Sequence, residues 1–247
     1  HPGFPGGVGN YFGWIDITNP AAPAWAAGNT VTNPLPTPPV SVAQFNGRAW
    51  YAVDNTLWYS DALVPLTITN SSQVLILGDN VDVTALGGLP LQTQQGGIIQ
   101  SLIAFKGAAI MYQIKGDDAT SDLTLNTLDV STGTEAPNSI SPTPKGLAFM
   151  SPTGLRVIDF FARVSDPIGH SGSGVVIPFI YSSVPSRMAA AYNADIYRIT
   201  TQNGKAAGTP QQEWWFDFPG QIWSGPHTSA AVMIHGFMNS FVLTLSG

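Results

Sequence analysis

The chain has 247 residues, with fifteen acidic side chains against nine basic ones, a net charge of −6, 26 glycines, 20 prolines and no cysteine. A chain of this length buries on the order of 70 % of its unfolded surface and needs neither disulfide nor metal to hold a core, while its charged fraction of 10 % is far below that of disordered chains. The negative balance and the scattered basic residues argue against a grip on nucleic acid through its phosphates, and no apolar run reaches the roughly 18 residues of a membrane span.

Residues 1–9 hold four glycines and two prolines, too many breakers for the interior of an element, and read as an irregular arm. The first residue, His1, is followed by no basic stretch and no apolar core. The chain therefore reads as processed or internal to a longer one, with no targeting signal. Residues 10–18 alternate as a strand does. Residues 19–39 carry six prolines and are expected as an extended crossover rather than a strand, because proline lacks the ladder donor. Residues 1–40 thus form an arm, a strand and a proline-rich crossover.

Residues 42–61 predict a three-stranded meander. Asn46-Gly47 takes positive φ at low cost and closes a tight hairpin, 48–53 form the second strand, Asp54-Asn55 turns the chain, and 56–60 form the third. Such a meander exposes an apolar face and needs neighbours. The cadence recurs loosely: residues 102–106, Gly107 and 108–112; residues 141–145, Gly146 and 147–150, then a turn to Gly154 and 155–158; residues 188–193, Ala194 and 195–200; residues 231–235, Gly236 and 237–245. The predicted turn positions are therefore Asn46, Gly47, Gly107, Gly146, Gly154 and Gly236, with Ala194 replacing a glycine. Their spacing approximates the 40–50 residues of propeller blades. Residues 41–247 are expected to form an all-β, β-propeller-like array of about five small antiparallel sheets, the N-terminal strand closing the ring against the last repeat; a β-sandwich is the alternative. Residues 61–97 read as an insertion carrying an extra hairpin about Gly78-Asp79-Asn80. Residues 123–128, Leu-Thr-Leu-Asn-Thr-Leu, alternate strictly and should form the outer strand of the second repeat.

Motifs for chemistry are weak. Gly169-His170-Ser171-Gly172-Ser173-Gly174 misses the nucleophile elbow by one position, and the following Val175 to Pro178 cannot start a helix. Gly7 to Gly13 misses a dinucleotide fingerprint and has no βαβ context. Asp117, Asp118 and Asp122, or Asp79 and Asp82, offer hard oxygen ligands for calcium, but aspartates also bond their own turn backbones. His1, His170, His227 and His235 lack metal-ligand spacing. Asn70-Ser71-Ser72 is a formal glycosylation sequon. Arg48, Arg156 and Arg198 fall in strands and read as solvated or locally paired. Trp214, Trp215, Phe216 and Trp223 form either a sugar-stacking platform or a buried strand face. No residue is assigned to catalysis, to a cofactor or to a metal. Few charges on a surface rich in small polar residues suit contacts with other subunits.

Five stretches, in order, carry a resemblance: Phe45-Asn-Gly-Arg-Ala-Trp-Tyr51; Leu57-Trp-Tyr-Ser-Asp61 followed by Leu63-Val-Pro65; Ala104-Phe-Lys-Gly107; Gly133-Thr-Glu-Ala-Pro137 with Ser139; and Gly146-Leu-Ala-Phe-Met-Ser151 with Gly154. Together they resemble the β-propeller portion of tail nozzle and tail-tube proteins of short-tailed bacteriophages. The resemblance implies a non-enzymatic virion component in a six-fold homo-oligomeric ring below the portal or adaptor, beside other tail proteins, with DNA passing the lumen without tight binding. A carbohydrate-binding propeller of a secreted or tail-associated protein, or a glycoside hydrolase, is the alternative.

Overall fold

The computed structural model of the chain describes residues 13–16, 24–27, 35–93, 95–116, 122–169, 184–202, 211–228, 231–237 and 240–245. The fold is all-β. Four small antiparallel sheets have three or four strands, and two hairpins stand apart from them in hydrogen bonding. The helical segments among the described residues are single 3-10 turns at Pro137–Ser139 and Pro185–Arg187.

The N-terminal hairpin joins β1 (Gly13–Asp16) to β2 (Ala24–Ala27). The first sheet runs β3 (Ser41–Phe45), β4 (Arg48–Val53), β5 (Thr56–Tyr59), β6 (Val74–Ile76). The second runs β7 (Val83–Gln92), β8 (Ile98–Lys106), β9 (Ile110–Lys115), β10 (Thr124–Asp129). The third holds β11 (Ser141–Thr143), β12 (Gly146–Ser151) and β13 (Gly154–Ile158). The fourth runs β14 (Ala189–Asn193), β15 (Ile196–Gln202), β16 (Gln211–Asp217), β17 (Ile222–Thr228), and the last hairpin joins β18 (Ala231–Phe237) to β19 (Ser240–Leu245). Each sheet is a meander of consecutive strands, so the predicted repeats are separate sheets in a propeller-like array.

Alternation of side chains gives each middle sheet two buried faces. On β8, Leu102 and Ala104 pack with Trp50 and Leu57 of the first sheet, whereas Ile103 and Phe105 pack with Leu147, Phe149 and Ile158 of the third. The rings of Phe105 and Phe149 lie 5.0 Å apart. On the far side of the third sheet, Ala148, Met150 and Leu155 meet Tyr197, Ile199 and Phe216 of the fourth. Fully burying one such aromatic ring contributes roughly 2–3 kcal/mol, and each core therefore depends on the sheet that follows it in sequence.

The predicted turns sort by backbone conformation. Asn46 (φ 50°) and Gly47 (φ 66°) both lie in the left-handed region between β3 and β4, which a type I′ hairpin requires. Gly107 (φ 60°), Gly146 (φ 130°) and Gly154 (φ 135°) also have positive φ, and Ala194 (φ 47°) with Asp195 (φ 66°) closes the β14–β15 turn. Gly236 is not a turn residue: it sits inside β18, paired with Phe241 of β19.

Three further expectations are corrected. The strand expected in residues 10–18 is present as β1, but its partner is β2, and the final hairpin pairs with neither. Ring closure by the N-terminal strand is therefore absent from the pairing of the described strands, and the proline-rich stretch yields a strand in its proline-free piece. The extra hairpin about Gly78 is not formed either. Val74–Ile76 pairs back onto Thr56–Trp58 to finish the first sheet, while β7 opens the second. The turn at Gly78 is a link between sheets.

Candidate functional site

The first strands of the four larger sheets, β3, β7, β11 and β14, converge on a cavity of about 570 Å³ whose wall also includes Pro137, Asn138 and Leu147. Gly87 and Gly88 on β7 make the convergence possible. A Cβ on Gly87 would stand 2.5 Å from Leu147 Cδ2, and one on Gly88 would stand 3.2 Å from the Gln44 carbonyl oxygen. Two serines tie neighbouring first strands together. Ser41 Oγ on β3 accepts the Leu86 N–H of β7 at 3.0 Å, and Ser141 Oγ on β11 accepts the Tyr192 N–H of β14, also at 3.0 Å. Each serine satisfies a donor that the open inner edge of a sheet leaves without a ladder partner.

Among the described residues, no Asp, Glu, Lys, Arg or His lines this cavity. Its described lining therefore offers no charged side chain to pair with a phosphate. Its volume is that of a small-molecule site, too small for a nucleic-acid duplex.

The ionic groups with partners lie elsewhere. Lys106, at the end of β8, has a wholly buried side chain paired with Asp79, and its Nζ also reaches the Leu77 and Asp79 carbonyl oxygens at 3.4 Å. The hydrogen bond from Lys106 holds the Asp79 carboxyl below the usual carboxylate range. In the loop after β5, the Asp61 carboxylate accepts the Thr69 hydroxyl at 2.5 Å and the Gln73 amide at 2.9 Å. Those bonds, the Thr69 one first, lower its pKa.

A clasp of one design appears twice. Arg48 Nη1 donates to the Ser60 carbonyl at 2.8 Å, the Ala49 N–H donates to Ser60 Oγ at 3.0 Å, and that hydroxyl donates to the Asp61 carbonyl. Arg156 Nη1 donates to the Ser165 carbonyl at 2.7 Å, the Val157 N–H donates to Ser165 Oγ at 3.0 Å, and that hydroxyl donates to the Asp166 carbonyl. The Ser-Asp pairs at 60–61 and 165–166 were the sequence signal for it. Arg198 pairs with Glu213 and lies 5.2 Å from the Trp215 ring. The sequence reading of the three arginines as solvated or locally paired thus resolves to local pairing.

The four-ring sugar platform does not assemble. Trp214 and Phe216 are core residues with Trp223 packed against them, whereas Trp215, on the opposite face, is 37 % exposed and flanked by Arg198 and by the His227 ring at 4.5 Å. Alternation along β16 separates the rings, as the buried-strand reading of this stretch required. Of the calcium candidates, Asp79 is taken by Lys106, Asp117 and Asp118 lie outside the described residues, and no group of three metal-ligating side chains occurs among the described residues. The stretch 170–174 of the near-elbow and residues 7–12 also lie outside them. No helix among the described residues is long and apolar enough to cross a membrane. Comparison with protein-family models and with curated proteins finds no match to this chain.

Proposed function

We propose that this chain is a non-enzymatic structural subunit of a short-tailed bacteriophage tail, part of the nozzle or tail tube through which DNA leaves the virion. The observation that carries the reading is the ordered series of nozzle-like motifs, whose landmarks fall at turns between consecutive strands or at strand starts: Asn46-Gly47 between β3 and β4, Lys106-Gly107 between β8 and β9, and Gly146 and Gly154 as the first residues of β12 and β13. An acidic chain whose Arg48, Arg156, Arg163 and Arg198 are bound to its own carbonyls and carboxylates suits a wall that DNA slides past. The cavity within one chain is too small for a duplex, so in this reading the conduit lies between subunits, in a six-fold ring next to portal or adaptor proteins. Negative-stain imaging and native mass measurement of the purified chain test it: rings whose mass is six chains, or a multiple of six, support the reading, and a particle of any other symmetry overturns it.

A further inference from the structure

The outer edges of the four larger sheets differ in how they are protected. Edge strands with unpaired backbone groups recruit other strands unless they are short, kinked, charged or carry proline. In the first sheet the edge strand β6 has only three residues. In the third, residues 164–168 cover β13: Val164 bridges Ile158, the Ser165 and Ile168 N–H groups bond the Val157 and Leu155 carbonyls, and Pro167 interrupts the new edge. In the fourth, β17 carries Pro226 and pairs with β16 through a register shift. β10, the edge of the second sheet, has none of these protections from Thr124 to Thr127: four successive exposed residues without proline, glycine or charge. Its one irregularity is a bulge between Thr127 and Asp129.

We infer that β10 pairs antiparallel with β10 of a second copy of this chain, centred on Asn126, joining two four-stranded sheets into one. Opposed residues of an antiparallel ladder either both turn their backbone groups toward each other or both turn them away, so a strand can pair with itself only about a residue, not between two. About Asn126, Leu125 of each copy meets Thr127 of the other and Thr124 meets Leu128, with no like charges opposed. The flanking charges are complementary. Lys115 pairs in register with Thr124, and the bulge brings Asp129 opposite Met111, which shares a face of β9 with Lys115. Antiparallel pairing therefore sets Lys115 of each copy on the same face as Asp129 of the other, twice by symmetry. The contact is isologous and distinct from the head-to-tail contact of a ring. If both exist, rings of six associate in pairs to give twelve chains.

The chain has no cysteine, so Asn126→Cys places a single thiol on the two-fold axis, where opposed Cα atoms of a ladder lie within disulfide reach. Mild oxidation should give covalent dimers at least ten times faster than the exposed control Ser72→Cys, and Leu125→Asp should halve the native mass of the wild-type particle. A fall from twelve chains to six supports the inference and the ring together, and a fall from two to one supports the inference while refuting the ring. A six-chain particle unchanged by Leu125→Asp, or cross-linking of Asn126→Cys no faster than the control, overturns the inference and leaves the ring reading standing. A single-chain wild type overturns both. Asn126 and Leu125 are exposed, so circular dichroism of both variants should match the wild type.

Discussion

Gly146 opens β12 at φ 130°, and a Cβ built there would stand 2.0 Å from the Ile158 carbonyl oxygen. That oxygen belongs to the β12–β13 ladder and cannot move without breaking the third sheet, so Gly146→Ala is expected to cost roughly 3 kcal/mol. Gly107 is strained in φ alone, since its nearest neighbour, Val81 Cγ1, is 3.8 Å from an added Cβ. Gly107→Val should cost less, about 1–2 kcal/mol. Urea midpoints at constant m-value would check the order; equal losses would show that the ladder contact at Gly146 is not the cause. Ala194 offers the opposite test. An alanine at φ 47° bears the left-handed penalty, so Ala194→Gly should gain about 0.5 kcal/mol after the entropy cost of glycine is subtracted. These positions were legible because positive φ leaves a residue signature. Gly236 misled for the complementary reason: glycine is permitted wherever the backbone is, so inside β18 it resembles a turn without making one.

At the scale of elements, the link from β6 to β7 is fastened by Lys106, whose buried ammonium is tied to Asp79 and two carbonyls. Removing the carboxylate leaves that charge buried without its counter-ion, so Asp79→Ala should cost about 3 kcal/mol, and adding Lys106→Met should recover part of it. A double variant as unstable as the sum of two independent losses would argue against the clasp. The same pair shapes the acid limb. Asp79 and Asp61 have folded pKa values lowered by their hydrogen bonds from Lys106 and from Thr69. Their contribution is present above the ordinary carboxylate range near pH 4 and is lost as pH falls through the folded values. Asp61→Asn with Asp79→Asn should therefore flatten the loss of stability below about pH 4; an unchanged slope in acid denaturation would refute it. β10 was legible from strict alternation alone, and the Asn46-Gly47 hairpin from one dipeptide. The Gly78 link was not, because hairpins and sheet-to-sheet links use the same turn residues, and only the partner chosen by Val74–Ile76 separates them. The convergence of four first strands on a neutral cavity was equally hidden, since it depends on contacts between residues far apart in sequence, such as Ser41 with Leu86 and Ser141 with Tyr192.

For the whole molecule the decisive quantity is how much positive charge remains for a polyanion. The chain has nine basic residues against fifteen acidic ones, and the fold spends five of the nine: Lys106 is buried on Asp79, Arg198 pairs with Glu213, Arg163 with Asp159, and Arg48 and Arg156 are held by the Ser60 and Ser165 carbonyls. A protein that neutralises six phosphates loses about 10³-fold in affinity between 50 and 200 mM salt, because each contact releases condensed counter-ions. Here the groups needed for six contacts are not at hand on one subunit: the Lys106 side chain is wholly buried, and pulling Arg198 away to meet a phosphate would strand the buried Glu213 carboxylate. The assembled particle should consequently show no retention of duplex DNA at low salt and no salt-dependent slope in a binding titration. In the proposed conduit, DNA would then pass at the rate set by its own pressure and friction rather than by release from the wall. Submicromolar binding that weakens steeply with salt would refute the passive-conduit reading and require basic groups from several subunits to line one surface, with Lys115 and Lys145, neither of them in an ion pair among the described residues, the first to be replaced by glutamine.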